Sequence, residues 1–370
     1  VTTALRVLVV DDSVAVRRAL SDAIEREPGL AVCGAAPNGL LGLELVARTK
    51  PQVVVLDLEM PVMDGLEFLT RVRASHPRLP VVVFSGVVGH ANEATLEALW
   101  RGASDYVLKP QGLSAEETAA YLGRELFPRL RALAGRPPVD ARPRRPLGPS
   151  ALPTERLRPG APAIPPPVTG PDPLPSVVVV GASTGGPRAL AAALGSLPGD
   201  FPIPVAVVQH MPAEMSEFFA SGLANSCELP VRLAGDRERM SPGVLWVAAG
   251  GAHLVLEHDG PHARFRLDPG PEVNGCRPAV DPLFRSAARV FGSGVLAVVL
   301  TGMGQDGLEG ARAVREAHGR VLVQDEATSV VWGMPGAVAR AGLANAVLPL
   351  GALGDELRAR ASREPRRKAA

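Results

Sequence analysis

No uninterrupted apolar stretch reaches the roughly 18 residues needed to cross a bilayer as a helix, so direct membrane insertion is not expected. Cysteine is scarce. Cys33, Cys227 and Cys276 are odd in number, far apart and without a CxxC pairing. This excludes a disulfide framework or a cysteine zinc site and fits reduced cytosolic thiols. The net charge is only +1, so global electrostatics provide no reason to expect nucleic acid. Lysine is also rare: of 39 basic residues, only Lys50, Lys109 and Lys368 are lysine. A lysine at a special position therefore stands out, because a compact ammonium on a flexible stem fits where a broad guanidinium does not. The first expected strand, Leu5–Val10, leaves no room ahead of it for a signal peptide, and a cytoplasmic location is expected.

At 370 residues the chain has about twice the length of a typical domain. Residues 1–134 alternate short apolar runs (Leu5–Val10, Ala31–Ala35, Val53–Leu56, Val81–Phe84, Tyr106–Leu108) with helical patterns. The helical patterns are Ser13–Arg26, Leu40–Thr49, Gly65–Ser75, Asn92–Trp100 and Glu116–Leu133. Five strands and five helices predict a parallel sheet covered on both faces. Residues 135–175 are rich in proline and arginine and poor in large apolar side chains, so they read as a largely extended linker.

From Ser176 the strand–helix rhythm resumes with Val177–Val180, Val205–Gln209, Val295–Leu300 and Val321–Gln324. This predicts a second doubly wound parallel-sheet domain over 176–355. Leu245–Ala248, Leu254–Glu257 and Arg264–Leu267 read as a short antiparallel insertion, and 356–370 as a tail.

In open parallel sheets, chemistry collects beyond the carboxyl ends of the strands. Asp11 and Asp12 end the first strand, Asp57 the third, Ser85 the fourth and Lys109 the fifth. Three converging carboxylates repel one another and favour a hard divalent cation, here Mg²⁺. With Lys109, that ion would neutralise the oxygens of a transferring phosphoryl group.

A second set follows the same rule. Ser183 lies in Gly181-Ala182-Ser183-Thr184-Gly185-Gly186, directly after Val177–Val180. Glycines permit the sharp turn, and the next helix begins with free N–H groups and a positive dipole end. A serine hydroxyl needs an adjacent imidazole to act as a nucleophile. His210 ends the run Val205–Gln209, and Asp306 follows Val295–Leu300. The chain order Ser, His, Asp differs from that of α/β-hydrolases despite the Gly-x-Ser-x-Gly pattern. His253, His258, His262 and His318 have no matching strand-end aspartate and read as incidental.

These motifs carry two resemblances. Val9-Val10-Asp11-Asp12-Ser13, Leu56-Asp57-Leu58-Glu59-Met60-Pro61 and Val107-Leu108-Lys109-Pro110 resemble the receiver domain of two-component response regulators, a flavodoxin-like fold. That resemblance implies Asp57 as phosphoacceptor and Asp12, Asp57 and the Glu59 carbonyl as metal ligands. Asp11 would act through water, and Ser85 and Tyr106 would form a switch pair. Residues 176–350 resemble the catalytic domain of chemotaxis protein-glutamate methylesterases, the CheB family. The carrying segments are the Ser183 turn, Gln209-His210-Met211-Pro212, Arg277-Pro278-Ala279-Val280-Asp281-Pro282, Thr301-Gly302-Met303-Gly304-Gln305-Asp306-Gly307 and Gln324-Asp325-Glu326-Ala327-Thr328.

The second resemblance implies Ser183 as nucleophile, His210 as general base and acid, and Asp306 as the residue orienting His210. Thr184 and the Met303 N–H would stabilise the oxyanion, and the hydrolase would need no cofactor. It further implies hydrolysis of glutamyl methyl esters, and deamidation of glutamines, on chemoreceptor cytoplasmic helices. A chemotaxis-type histidine kinase would be the phosphodonor, and the receiver would cover the cleft until phosphorylated.

The chain departs from the family's usual pattern after His210. Met215 and Gly222 stand where a Phe and an Arg are usual, and Glu214 and Glu217 are added, which leaves receptor choice open. A DNA-binding output would require a basic helix-turn-helix after the linker, where an α/β domain stands instead. A degenerate, non-enzymatic adaptor would lack one of Ser183, His210 and Asp306, and all are present.

Overall fold

A computed structural model describes residues 4–86, 90–135 and 174–361. In the N-terminal half the strands are β1 (Leu5–Val10), β2 (Leu30–Ala36), β3 (Val53–Leu56), β4 (Val81–Ser85) and β5 (Asp105–Leu108). They alternate with α1 (Val14–Arg26), α2 (Gly39–Thr49), α3 (Gly65–Ser75), α4 (His90–Trp100), α5 (Ala115–Glu125) and α6 (Phe127–Ala134). All pairings are parallel, in the order β2-β1-β3-β4-β5. β3 is buried throughout, as expected of a β-branched run covered on both faces. Ser13, Asn38, Asp64 and Ser114 cap their helices by accepting a backbone N–H, and Ser114 forms a capping box with Glu117.

The C-terminal half continues with β6 (Val177–Ala182), α7 (Gly186–Leu194), β7 (Val205–Gln209), α8 (Ser216–Ala224), β8 (Val231–Leu233), β9 (Leu245–Val247), β10 (His253–Asp259) and β11 (His262–Asp268). Then follow α9 (Val280–Phe291), β12 (Val295–Val299), α10 (Leu308–Glu316), β13 (Arg320–Gln324), α11 (Met334–Arg340), β14 (Ala346–Leu348) and α12 (Leu350–Ala361). Seven strands form a parallel sheet in the order β14-β13-β12-β6-β7-β9-β8, and β10 and β11 form a separate antiparallel pair. The chain runs outward from β6 through β7, then returns to β12 on the other side. The topological switch point therefore falls at β6, between β7 and β12.

Four details differ from the sequence reading. β9 belongs to the parallel sheet beside β7, leaving only β10 and β11 as the antiparallel insertion. The short spacing from Leu245–Ala248 to Leu254 imitates a hairpin, but β10 pairs with β11 instead. The helical pattern Glu116–Leu133 divides at Leu126 into α5 and α6, with proline in the first turn of α6. The edge strands β8 and β14 have only three residues each, too few for a readable alternation. Finally, α12 continues to Ala361 with Leu357 buried, past the expected start of the tail at 356. Residues 136–173 of the expected linker and 362–370 of the tail lie outside the described residues. Among the described residues, no helix is long and apolar enough to cross a membrane.

One apolar cluster spans both halves, joining Leu96 and Leu99 of α4 to Phe219 and Leu223 of α8. Trp100 stacks on Phe219 with ring centroids 5.8 Å apart and planes 11° apart. Gly222 makes this possible, because a Cβ there would lie 2.3 Å from the Trp100 indole nitrogen. Gly222 thus lies in the contact between halves. Glycine to alanine in a helix interior ordinarily gains about 1 kcal/mol. Here Gly222→Ala should instead displace Trp100 and loosen the contact between α4 and α8. Hydrogen exchange in these two helices should become faster, and unchanged protection would count against the interlock.

Candidate functional site

Beyond β1, β3 and β5, the carboxylate oxygens of Asp11, Asp12 and Asp57 lie within 4.8 Å of one another. Asp11 and Asp57 are buried and Asp12 is exposed. Lys109 Nζ bridges them at 2.9 Å from Asp11 Oδ2 and 2.8 Å from Asp57 Oδ2. Burial pushes the Asp57 carboxyl above the ordinary range; Lys109 opposes this, and the Asp11 charge adds to it. Gly65 lets α3 start against this loop, since a Cβ there would meet the Asp57 carbonyl at 2.3 Å. Three carboxylates and one ammonium leave net negative charge among oxygen donors, which suits a hard divalent cation. Glu59 lies exposed two residues past Asp57, while Ser85 is buried at the end of β4. Tyr106 lies on β5 beside Asp105, and burial raises its phenol above the ordinary value.

In the other half, Ser183, His210 and Asp306 follow β6, β7 and β12, three adjacent central strands. His210 Nε2 lies 2.7 Å from Asp306 Oδ2, and His210 Nδ1 lies 3.4 Å from Cys276 Sγ. Among the described residues no hydrogen bond joins Ser183 to His210, although both line one cleft of about 560 Å³. Ser183 is fixed by its backbone: its N–H donates to Thr301 O (3.0 Å), and its carbonyl accepts from Gly186 N (2.7 Å) and Gln209 Nε2 (3.0 Å). Gly302 must be glycine, because a Cβ would lie 2.8 Å from that of Ser183 and 2.3 Å from Met334 Sδ. Met303 lines the same cleft.

Asp306 is 2 % exposed. Its carboxylate accepts from Val280 N (2.6 Å), Asp281 N (3.2 Å), Gly307 N (3.0 Å) and Asn274 Nδ2 (2.9 Å), in addition to His210. The first two are the opening N–H groups of α9, which has no side-chain cap of its own. Asp306 therefore caps α9 from outside, where the helix favours negative charge. Burial alone would raise Asp306, but the His210 contact and the N–H donors outweigh it and hold the carboxyl below the ordinary range. Burial alone would lower His210, but Asp306 and Cys276 outweigh it and push the imidazole up to about 9.

Residues of the N-terminal half line the other side of the cleft: Asp105, Tyr106, Tyr121, Arg124 and Arg129. The Thr184 hydroxyl, expected as an oxyanion donor, donates to Asp105 Oδ2 at 2.5 Å. Arg129 Nε lies 3.4 Å from the same oxygen. Burial pushes the Asp105 carboxyl up, with Arg129 and Thr184 pulling it back.

Four neighbours escaped the sequence reading. Asn274 and Cys276 flank the His210–Asp306 pair, and the Asn-Gly dipeptide at 274–275 was a legible turn signal. His253, read as incidental, is buried; its ring meets Pro271 O (2.9 Å) and accepts from Ala279 N (3.1 Å), fastening the loop that carries them. Thr301, held by Gln324, clamps the backbone of Thr184 and Val331, and no local pattern announced it.

Residues 178–357 match the family profile CheB methylesterase, and residues 7–119 match Response regulator receiver domain. A protein-glutamate methylesterase/protein-glutamine glutaminase of Nocardioides sp. is 45% identical, covering 97% of this chain and 96% of its own. One of the same name from Trichodesmium erythraeum is 41% identical, covering 95% and 97%. The crystal structure of the Thermotoga maritima CheB methylesterase catalytic domain is 42% identical, covers 50% of this chain and 97% of its own, and superposes with a TM-score of 0.49.

The His210–Asp306 pair has a pH signature. The raised His210 value contributes stability that is complete below the imidazole's ordinary 6.5 and lost as pH rises through about 9. The lowered Asp306 value contributes stability present above 3.8 and lost as pH falls through its folded value. Urea unfolding should therefore show a decline in stability between pH 6.5 and 9 that His210→Gln largely removes. Parallel curves for both proteins would mean that the pair is not charged.

Proposed function

The chain belongs to the CheB methylesterase family, and we propose that it is a phosphorylation-activated serine hydrolase removing methyl groups from glutamyl esters of chemoreceptor helices. The observation that carries this reading is the placement of Ser183, His210 and Asp306 beyond three adjacent strands at the switch point, with His210 and Asp306 2.7 Å apart. Ser183 Oγ attacks the ester carbonyl carbon and passes its proton to His210 once the imidazole is neutral. The tetrahedral oxyanion is held by the Thr184 hydroxyl and the Met303 N–H. Its collapse breaks the C–O bond, and the His210 proton leaves with the methoxide as methanol. Water, deprotonated by His210, then cleaves the acyl-serine to leave a glutamate carboxylate. With a glutamine side chain the same steps release ammonia. Asp306 stays ionised throughout and orients the ring.

Asp57 is the phosphoacceptor in this reading. Asp11, Asp12 and Asp57, with the Glu59 carbonyl, would hold Mg²⁺, which when bound neutralises the phosphoryl oxygens. Lys109 pairs with the same oxygens. Ser85 and Tyr106 respond to the phosphoryl group, and Tyr106 is the immediate neighbour of Asp105. A shift of β5 therefore reaches the Asp105–Thr184 contact directly. The docked arrangement is the low-activity state: Thr184 is engaged by Asp105, and the cleft is walled by the receiver half. The phosphodonor is a chemotaxis-type histidine kinase, the compartment is the cytoplasm, and neither nucleic acid nor membrane insertion is involved.

Methanol release from methylated receptor fragments tests the chemistry. Ser183→Ala and His210→Ala should each cost on the order of 10⁴–10⁶-fold, and Asp306→Asn somewhat less. Near-normal turnover by Ser183→Ala would refute the assignment.

The switch has its own test. A small phosphodonor with Mg²⁺ should raise turnover of the native chain but not of Asp57→Asn. Asp105→Ala should raise the unphosphorylated rate by freeing the Thr184 hydroxyl; an unchanged rate would remove that contact from the regulation.

A further inference from the structure

Val273 and Cys276 exchange both backbone hydrogen bonds, N to O at 3.1 and 3.0 Å, around Asn274 and Gly275. The φ values of 55° and 73° at the two central residues match a two-residue type I′ turn, for which Asn-Gly is the favoured pair. One arm of the turn brings Cys276 to His210 Nδ1 and the other brings Asn274 to Asp306. Asn274 Nδ2 lies 2.9 Å from Asp306 Oδ1 and 3.1 Å from Asp281 Oδ2. An amide nitrogen carries two hydrogens, one for each carboxylate. Asp281 is itself fixed: it is 2 % exposed, and its Oδ1 accepts from Gly310 N at 2.7 Å.

We infer that Asn274, anchored on Asp281, is a positioning residue that bridges two buried carboxylates and sets the Asp306 edge that meets His210. This rests on the catalytic reading of His210 and Asp306 above. The neutral amide suits the position. An aspartate would place a third negative charge there, and an aliphatic side chain would leave Asp281 and Asp306 with no donor between them. The left-handed φ is one that asparagine tolerates unusually well. Besides Asp306 and the Cys276 sulfur, the titratable and charged groups lining the cleft with His210 are Glu272 and Arg277, with Asp105, Tyr106, Tyr121, Arg124, Glu125 and Arg129 from the N-terminal half. None of these is placed between Asp281 and Asp306.

Asn274→Gly isolates the side chain, because glycine keeps the turn and loses only the amide. In the full-length chain, activated with a small phosphodonor and Mg²⁺, kcat for methanol release from a methylated receptor fragment should fall about tenfold, with KM within about twofold. Imidazole ¹⁵N NMR should show His210 titrating at higher pH, because Asp306 loses a donor that competes for its charge. Asn274→Asp should move that titration further in the same direction. Native kcat and native His210 titration in Asn274→Gly would overturn the inference. A lower kcat with unmoved titration would overturn it too, by making Asn274 a substrate contact. The control is Ser183→Ala. If that variant is active, the hydrolase reading fails, and the NMR result still decides the position of Asn274.

Discussion

The catalytic half is organised around a carboxylate that cannot be left bare. Asp306 is 2 % exposed, and a buried carboxylate without partners costs several kcal/mol. Its five donors come from the end of β7, the first turn of α9, the 273–276 turn and its own loop. Satisfying one charge therefore fixes the relative positions of segments far apart in sequence. The start of α9, which has no side-chain cap of its own, and the left-handed turn at Asn274 are both held by this arrangement. The same compensation keeps Asp306 ionised, which in turn holds the His210 ring in a single orientation.

A second buried carboxylate, Asp105, joins the halves. It accepts from the Thr184 hydroxyl and faces Arg129. The wider contact is apolar, with Trp100 stacked on Phe219 over Gly222. The two kinds of contact do different work. Apolar burial is non-directional and supplies strength, whereas the hydrogen bond is directional and positions a group of one half on the reactive loop of the other. A stacked aromatic pair contributes about 0.5–1.5 kcal/mol beyond its burial, and in the proposed switch a change in α4 or β5 would act on this contact. Equilibria of a few kcal/mol are the ones that a charge-changing modification can bias.

Legibility followed the length of the pattern. β1, β3, β7 and α3 begin and end where the apolar runs and the helical pattern predicted, because buried β-branched runs and a regular apolar period are strong local signals. The three-residue strands β8 and β14 offered no alternation to read. β9 was assigned to the wrong sheet because spacing along the chain stood in for spatial adjacency. At the sites, Asp11, Asp12, Asp57 and Lys109 and then Ser183, His210 and Asp306 were visible as strand-end residues. Asn274, Cys276 and His253 were not, since their positions depend on a loop folding back from β11 to α9.

The sequence by itself determined two parallel α/β units, their strand ends and the reactive residue types at those ends. Such information is local: hydrophobic period, glycine turns and caps act over a few residues. Tertiary structure alone decided that Gly222 receives Trp100, that the Thr184 hydroxyl is engaged by Asp105 and that Asn274 spans two carboxylates. Each of these joins residues from separate elements, so it depends on how packed elements exclude water and satisfy buried charge together. No single stretch of chain encodes that balance.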